Sequence, residues 1–395
     1  MQKDPIYLDF NATTPLASEV LQKMPELLHY WGNPSSIHLL SRSPKTILRE
    51  TRKILADYLK CSSLELIFNS GASEGNNTVL KSVWNAYRPG NSFQNEIKNE
   101  FIISSVEHPS VIKTAEYLIS EGALVHFVPV SRNGELDLKF IEQKISSKTA
   151  LISCMFANNE TGTVFPIKKI VELAQSKNIL VHSDCVQAFG KTNFDVNDLG
   201  VDYATISAHK FYALKGCGVL YVKKGSPYIN LVHGGGQERA RRGGTENILG
   251  IASLGVMLNK LSQINAKEIE LKRMRDYLEF EIIKTIPSVR VNCIECPRLT
   301  NTSSLIISGV DGETLLVSLD LKGFAVSTGA ACSSGSPEPS PVLLAIGLSK
   351  QEAQNSLRVS LGWSTTQQQV DLFLLTLKDT VERLRKINQT ETFSS

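Results

Sequence analysis

The chain has 395 residues, 42% hydrophobic and 21% charged, an ordinary globular composition with length for about two domains and a core that needs no staples. Its 42 basic and 39 acidic residues nearly balance at +3, so a nucleic-acid partner held mainly through phosphates is not expected. No apolar run approaches the roughly 18 residues of a membrane span, and the start MQKDPIYLDFNATTP has no apolar signal core, so neither membrane insertion nor secretion is expected.

The first readable helix opens at Ser43-Pro44 and carries Ile47, Ile54, Leu55, Tyr58 and Leu59. From about 65 to 225, short β-branched runs alternate with helical patterns. Strands are predicted at Leu66–Asn69, Phe101–Ser105, Leu124–Val130, Ala150–Phe156, Leu180–Asp184, Tyr203–Ser207 and Val219–Val222. Most are continuous apolar runs, as strands covered on both faces are. Pro166 opens a helix with Ile167, Ile170, Val171 and Ala174 on one face. This rhythm predicts an α/β fold with a mostly parallel, doubly wound sheet.

After about residue 246 the texture changes to longer helices, with Leu271, Met274, Leu278 and Ile282 on one stripe. Short strands are predicted at Ser303–Ser308 and Leu357–Leu361. A last helix follows, with Val370, Leu374, Leu377, Val381 and Leu384 at helical spacing. This part reads as a smaller α+β domain, and its polar tail KINQTETFSS is expected to fray.

In open α/β sheets, ligands bind beyond the carboxyl ends of the strands. Here those ends are polar: Ser70-Gly71-Ala72-Ser73, Glu107-His108, Asn158-Asn159-Glu160, Asp184, and Ser207-Ala208-His209-Lys210. The small residues of SGASEGNN suit an anion cradle at a helix N-terminus, or a plain strand-to-helix turn. No GxxxxGK[ST] is present, and no GxGxxG follows a strand. Asp184 could hold a protonated ring nitrogen of a cofactor, or cap a helix. Lys210 could form a Schiff base, or snorkel at a strand end.

The cysteines are Cys61, Cys154, Cys185, Cys217, Cys293, Cys296 and Cys332. Seven is an odd, low count that suits a reducing cytoplasm better than a disulfide framework. Cys332 lies among small residues in AVSTGAACSSGSPEPS, a poor core site and a good loop for either a nucleophilic thiol or an incidental one. Cys293-Ile-Glu-Cys296 lacks two further ligands at zinc spacing, so no metal is expected and the pair reads as reduced cysteines on a surface segment. His29, His38, His126 and His233 read as structural.

Taken together, GNPSS, SGASEGNN, EHPSV, NNETG, HSDCVQAFGK, SAHKFYALKGCGVLYV, HGGGQERARRGGT and the Cys332 loop form a specific set. From YLDFNATTP to SLRVSLG the chain resembles the cysteine desulfurases, pyridoxal-phosphate enzymes of the class V aminotransferase fold type. The resemblance implies a fold type I transferase with a seven-stranded sheet. It also implies a large cofactor domain over 16–255 and a small domain of 1–15 plus 256–395.

By position, the resemblance implies pyridoxal 5'-phosphate held covalently on Lys210. Asp184 would pair with the ring nitrogen, Gln187 would bond its phenolic oxygen, and His108 would stack on the ring and act catalytically by shuttling protons. Ala72, Ser73, Ser207 and His209 would hold the phosphate. Thr245 would reach the phosphate of a second subunit, which implies a homodimer. Asn33, Asn159 and Arg358 would orient L-cysteine, and Cys332 would receive its sulfur, leaving L-alanine. An iron–sulfur scaffold or similar protein would accept that sulfur.

Ser73 stands where the family usually has Thr, which keeps the hydroxyl. Gly75-Asn76 replaces a more usual Ser-Asp and reads as neutral. Arg88–Glu100 reads as a polar surface insertion. The chain ends soon after its last helix, short of the extension that docks the general scaffold in some members, which leaves the acceptor open. A selenocysteine lyase or another class V enzyme is the alternative. An aminotransferase needs no thiol at Cys332, and a non-catalytic relative would not keep Lys210, Asp184 and Cys332 together.

Overall fold

The computed structural model describes residues 5–91, 97–193, 195–328 and 339–392. In chain order the strands are β1 (Ile6–Tyr7), β2 (Leu66–Asn69), β3 (Glu100–Ser104), β4 (Leu124–Val128), β5 (Thr149–Ser153) and β6 (Leu180–Asp184). They continue as β7 (Tyr203–Ser207), β8 (Gly218–Val222), β9 (Val289–Val291), β10 (Thr302–Ile307), β11 (Phe324–Ala325) and β12 (Ser356–Ser360). One seven-stranded sheet has the order β2-β8-β7-β6-β5-β3-β4. The pairings between β4, β3, β5, β6 and β7 are parallel, and β8 runs against both its neighbours, β7 and β2. This is the mostly parallel sheet that the sequence predicts.

The reversal at β8 has a local cause. Parallel neighbours need a crossover of about a dozen residues or more, usually a helix. Between β7 and β8 the chain has a 3-10 turn, Ala208–Lys210, and no longer helix, so it doubles back. The short return leaves Lys210 just beyond the carboxyl end of β7.

Period-two alternation sends neighbouring strand residues to opposite faces. Ile102 packs with helices Arg42–Leu59, Ile167–Gln175 and Ile248–Leu258. Phe101 and Ile103 pack with helices Ala72–Tyr87 and Pro109–Ser120 on the other side. A further core surrounds the antiparallel sheet β12-β10-β9. It buries the expected stripe Leu271, Met274, Leu278 and Ile282, together with Val370, Leu377, Val381 and Leu384, while Leu374 is partly buried. The N-terminal segment joins this second unit: Leu8 is in its core, and β1 pairs with β11.

Leu377 is fully buried there. Leu377→Ala is expected to cost about 2–5 kcal/mol through lost transfer energy and a residual cavity, read as a lower urea midpoint.

Several boundaries differ from expectation. The helix read from Ser43-Pro44 begins at Arg42, fed by a 3-10 turn at Leu39–Ser41. Pro44 still falls in the first turn, where its missing N–H costs nothing. β4 and β5 stop at Val128 and Ser153, because the apolar residues after them continue into loops. The polar tail does not fray at Lys386: the last helix runs over Gln367–Thr392. Helix Ser18–Leu27 has no counterpart in the sequence reading, since it contains Pro25 and buries only Val20 and Leu27. Of the expected insertion 88–100, residues 92–96 lie outside the described residues, and Glu100 already belongs to β3.

Candidate active site

A cavity of about 460 Å³ opens beyond the carboxyl ends of the sheet strands. It is lined by Ala72, Ser73, His108, Asn159, Asp184, Gln187, Ser207, His209 and Lys210, which the topology brings together from widely spaced segments. Asp184 ends β6 and is 5% exposed. Its Oδ1 accepts the Val186 N–H at 3.0 Å, and its Oδ2 accepts Asn76 Nδ2 at 2.7 Å. A carboxylate has about four lone-pair sites, so both oxygens keep acceptor capacity. Asn76 also donates to Ser110 Oγ at 2.9 Å. The Gly75-Asn76 replacement is therefore not peripheral: Asn76 touches the cavity's acid directly.

Helix Ala72–Tyr87 starts at Gly71, with φ +151° and no side-chain cap, so its first N–H groups are left for an anion. The approach of this turn to β8 requires glycine, because a Cβ on Gly218 would sit 2.6 Å from the Gly71 Cα. Ser73 and Ser207 line the same cavity.

His108 caps helix Pro109–Ser120, its Nδ1 accepting the Ser110 N–H at 3.1 Å. With Nδ1 used as acceptor, the neutral ring carries its proton on Nε2. Burial holds its pKa below the usual range; the Asp184 charge opposes this and Lys210 reinforces it. His209 bonds Thr13 Oγ1 through Nδ1 at 3.0 Å. Burial, with Lys210 and Lys215 nearby, pushes its pKa down to about 4, so it is neutral at pH 7.

Lys210 Nζ donates to the carbonyls of Asn11 at 2.5 Å and Ala12 at 2.6 Å. Gln187 Nε2 donates to the same Asn11 carbonyl at 3.1 Å. The Asn11 side chain donates to the Asn159 carbonyl at 3.0 Å and to Thr302 Oγ1 at 2.8 Å. Arg358 in β12 is 2% exposed. Its Nη2 pairs with Asp9 at 2.7 Å, its Nη1 donates to the Asn159 carbonyl at 3.2 Å, and its Nε has no hydrogen-bond partner among the described residues.

Three expected residues stand outside the lining of this cavity: Arg358, which reaches it only through the Asn159 carbonyl, Asn33 and Thr245. Asn33 is exposed, its Oδ1 accepting the Ser35 N–H at 2.8 Å. Thr245 is exposed on a small neighbouring pocket that shares Ser70 and Gly216 with the main one. Cys332 lies outside the described residues. The flanks of its segment are tied beside the cavity. Ser327 and Arg358 exchange backbone hydrogen bonds of 3.2 and 2.6 Å. Ser340 Oγ donates to Glu160 Oε2 at 2.5 Å, and burial raises the pKa of Glu160 to about 7.

The six described cysteines are all pushed away from thiolate. Burial raises Cys61, Cys185 and Cys217 to about 12 and Cys296 to about 11, and it raises Cys154 and Cys293 as well. Cys293 is 4% exposed and packs with Ile306, Leu343 and Ile346, so the CxxC is not the surface pair expected. His29, His38 and His233 are exposed rather than packed.

Sequence reasoning gave no separate role to Asn11, Asn76, Glu107 or Lys191. Glu107 Oε1 accepts the Met155 N–H at 2.5 Å, while Oε2 is buried with no partner among the described residues. Burial first, then the Asp184 charge, raises its pKa well above the carboxylate range. EHPSV and HSDCVQAFGK mark the neighbourhoods of Glu107 and Lys191, but nothing local shows that their side chains turn inward.

The family described as aminotransferase class-V matches residues 6–373. The cysteine desulfurase IscS of Dictyoglomus turgidum is 41% identical over 389 residues, 98% of this chain and 97% of the relative. Among solved structures, a NifS-like protein aligns with a TM-score of 0.88 at 33% identity, covering 96% of this chain and 99% of that one. SspA in complex with cysteine aligns with a TM-score of 0.77 at 33% identity, covering 90% of this chain and 98% of that one. The chain belongs to the class V aminotransferase family, among its cysteine desulfurases.

Proposed function

We propose that the chain is a pyridoxal 5'-phosphate-dependent cysteine desulfurase that moves sulfur from L-cysteine to Cys332 and releases L-alanine. The observation that carries this reading is the convergence of Lys210, Asp184, His108 and Gln187 on one cavity beside an uncapped helix N-terminus.

The donor set fits the cofactor. Asp184 has acceptor capacity for a ring N–H, Gln187 Nε2 is a donor, and the N–H groups at Ala72 and Ser73 suit a phosphate. His108 would stack on the ring, and Ser207 and His209 would complete the phosphate site. When bound, the cofactor supplies the electron sink for charge that develops on the substrate.

The chain's own groups do the rest. Lys210 Nζ would hold the cofactor and carry the substrate's α-proton. Arg358, with Asn159 and Asn33, would orient the substrate carboxylate, a task that suits a guanidinium. Cys332 thiolate would attack the substrate sulfur: the Sγ–S bond forms, the substrate Cβ–S bond breaks, and the electron pair left on carbon takes up a proton. The high thiol pKa values of the other six cysteines support Cys332 in this role.

The reading includes a homodimer in which Thr245 reaches the partner's phosphate. Trp31 is 74% exposed, Ile37 99% and Leu39 68%, an apolar stretch that a second copy would cover. It also includes the division into a cofactor domain over 16–255 and a small domain of 1–15 plus 256–395, and an iron–sulfur scaffold as acceptor. A cytoplasmic setting belongs to the same proposal. No helix among the described residues is long and apolar enough to cross a membrane.

The test is mass spectrometry of Cys332 after turnover of L-cysteine, with one added sulfur as the expected result. Cys332→Ala is expected to stop sulfide release while the bound-cofactor absorbance stays. A wild type that takes up no pyridoxal phosphate, or a Cys332→Ala variant with full release, overturns the reading.

A further inference from the structure

Behind Gln187, a buried lysine sits where the chemistry described so far gives it no task. Lys191 is 8% exposed, and its Nζ donates to Gln187 Oε1 at 2.6 Å and to Asn11 Oδ1 at 2.9 Å. An ammonium only donates, and even a neutral amine keeps two N–H groups for these two oxygens. Both amides are thereby oriented. With its oxygen held by Lys191, Gln187 turns Nε2 to the Asn11 carbonyl, which also receives Lys210 Nζ. The Asn11 oxygen is held by Lys191 together with Asn301, whose Nδ2 donates to it at 3.1 Å, and Asn11 turns Nδ2 to Asn159 and Thr302. A glutamine amide without such a neighbour can exchange its nitrogen and oxygen by a half-turn.

The charged groups that act on Lys191 are Lys210, Glu268 and Arg358. Glu268 comes from helix Ile264–Thr285, and its Oε1 is buried with no hydrogen-bond partner among the described residues. Burial lowers the pKa of Lys191 and raises that of Glu268, so both are pushed toward neutrality. The two N–H donations survive that change.

We propose that Lys191 is a positioning residue that holds the Gln187 amide oxygen so that Nε2 is presented at the Lys210 end of the cavity. This rests on the cofactor assignment above, in which Nε2 donates to the ring's phenolic oxygen. A donor there stabilises the deprotonated oxygen, so its loss raises the pH at which the bound cofactor's absorbance titrates.

The experiment is a double-mutant cycle on the reconstituted holoenzyme, with the titration midpoint as the readout. Lys191→Met and Gln187→Met are each expected to raise the midpoint by about 1–2 pH units, the scale of one hydrogen bond to a charged group. The double variant is expected to shift no further than either single one. A wild-type midpoint in Lys191→Met, or shifts that add in full, overturns the positioning role. A wild type that binds no pyridoxal phosphate overturns the cofactor assignment itself, and this role with it. Should Lys191→Met not fold, Lys191→Gln takes its place in the same cycle.

Discussion

Lys210→Ala is expected to lower turnover of L-cysteine by about 10²–10⁴-fold, the range for removing a positioned proton-transfer group. It is also expected to leave the cofactor removable by dialysis. The size of the effect follows from how the lysine is placed. The short return between β7 and β8 puts it at the rim, and the Asn11 and Ala12 carbonyls hold its Nζ. Lys215 also lines the cavity, but it is exposed on the far part of the same loop and lacks these contacts. Lys210→Arg separates charge from chemistry. A guanidinium stays protonated at working pH, so it keeps the positive charge but cannot become the neutral base that takes up a proton. Steady-state rates of sulfide release should place the arginine variant with the alanine variant. If arginine retains near-native turnover, Lys210 contributes charge alone and the proton role is wrong.

The strands that the sequence placed to the residue are β2, β6 and β7, each almost wholly buried. Burial on both faces makes a strand a continuous apolar run, and a polar residue marks where it reaches the rim. The same rule located Asp184 and Lys210, because strand ends in an open α/β sheet are where ligands bind. It could not locate Asn11, which acts through a backbone carbonyl and a side chain bonded to residues 148 and 291 positions away. Lys191 and Glu268 were hidden for a related reason. A lysine or glutamate in a helical or turn pattern normally faces water, and nothing local says that these two are buried. Asn76 was visible as a replacement, but its contact with Asp184 depends on β6 lying beside helix Ala72–Tyr87. The limit is the same in each case: periodicity reports burial along one segment, and polar networks join several.

Arg52→Met is expected to destabilise the fold by about 3–5 kcal/mol, the cost of leaving one member of a buried ion pair without its partner. That is a large share of the roughly 5–15 kcal/mol that holds a domain folded. Arg52 Nη1 and Nη2 grip both oxygens of Glu238 at 2.9 and 2.5 Å, with side-chain exposures of 7% and 2%. Glu238 Oε2 also accepts the Phe68 N–H at 2.8 Å, and the Arg52 guanidinium lies 4.5 Å from the Phe68 ring centre. The pair holds an unusual backbone in place. Glu238, Arg239 and Ala240 have φ of 47°, 59° and 61°, three successive side-chain-bearing residues in the left-handed region. Such residues cost on the order of 1–3 kcal/mol each and persist only where their surroundings enforce them. Two residues on, Arg242 grips Glu74 at 2.9 and 3.1 Å, and Thr245 follows. Losing Arg52 therefore strands a buried carboxylate and frees a strained turn that leads to the proposed intersubunit residue. Pairing Arg52→Met with Glu238→Gln should recover much of the loss in urea unfolding, because the uncompensated charge is then gone. A single variant that costs under about 1 kcal/mol, well below the buried-pair range, would place the enforcement of this turn elsewhere.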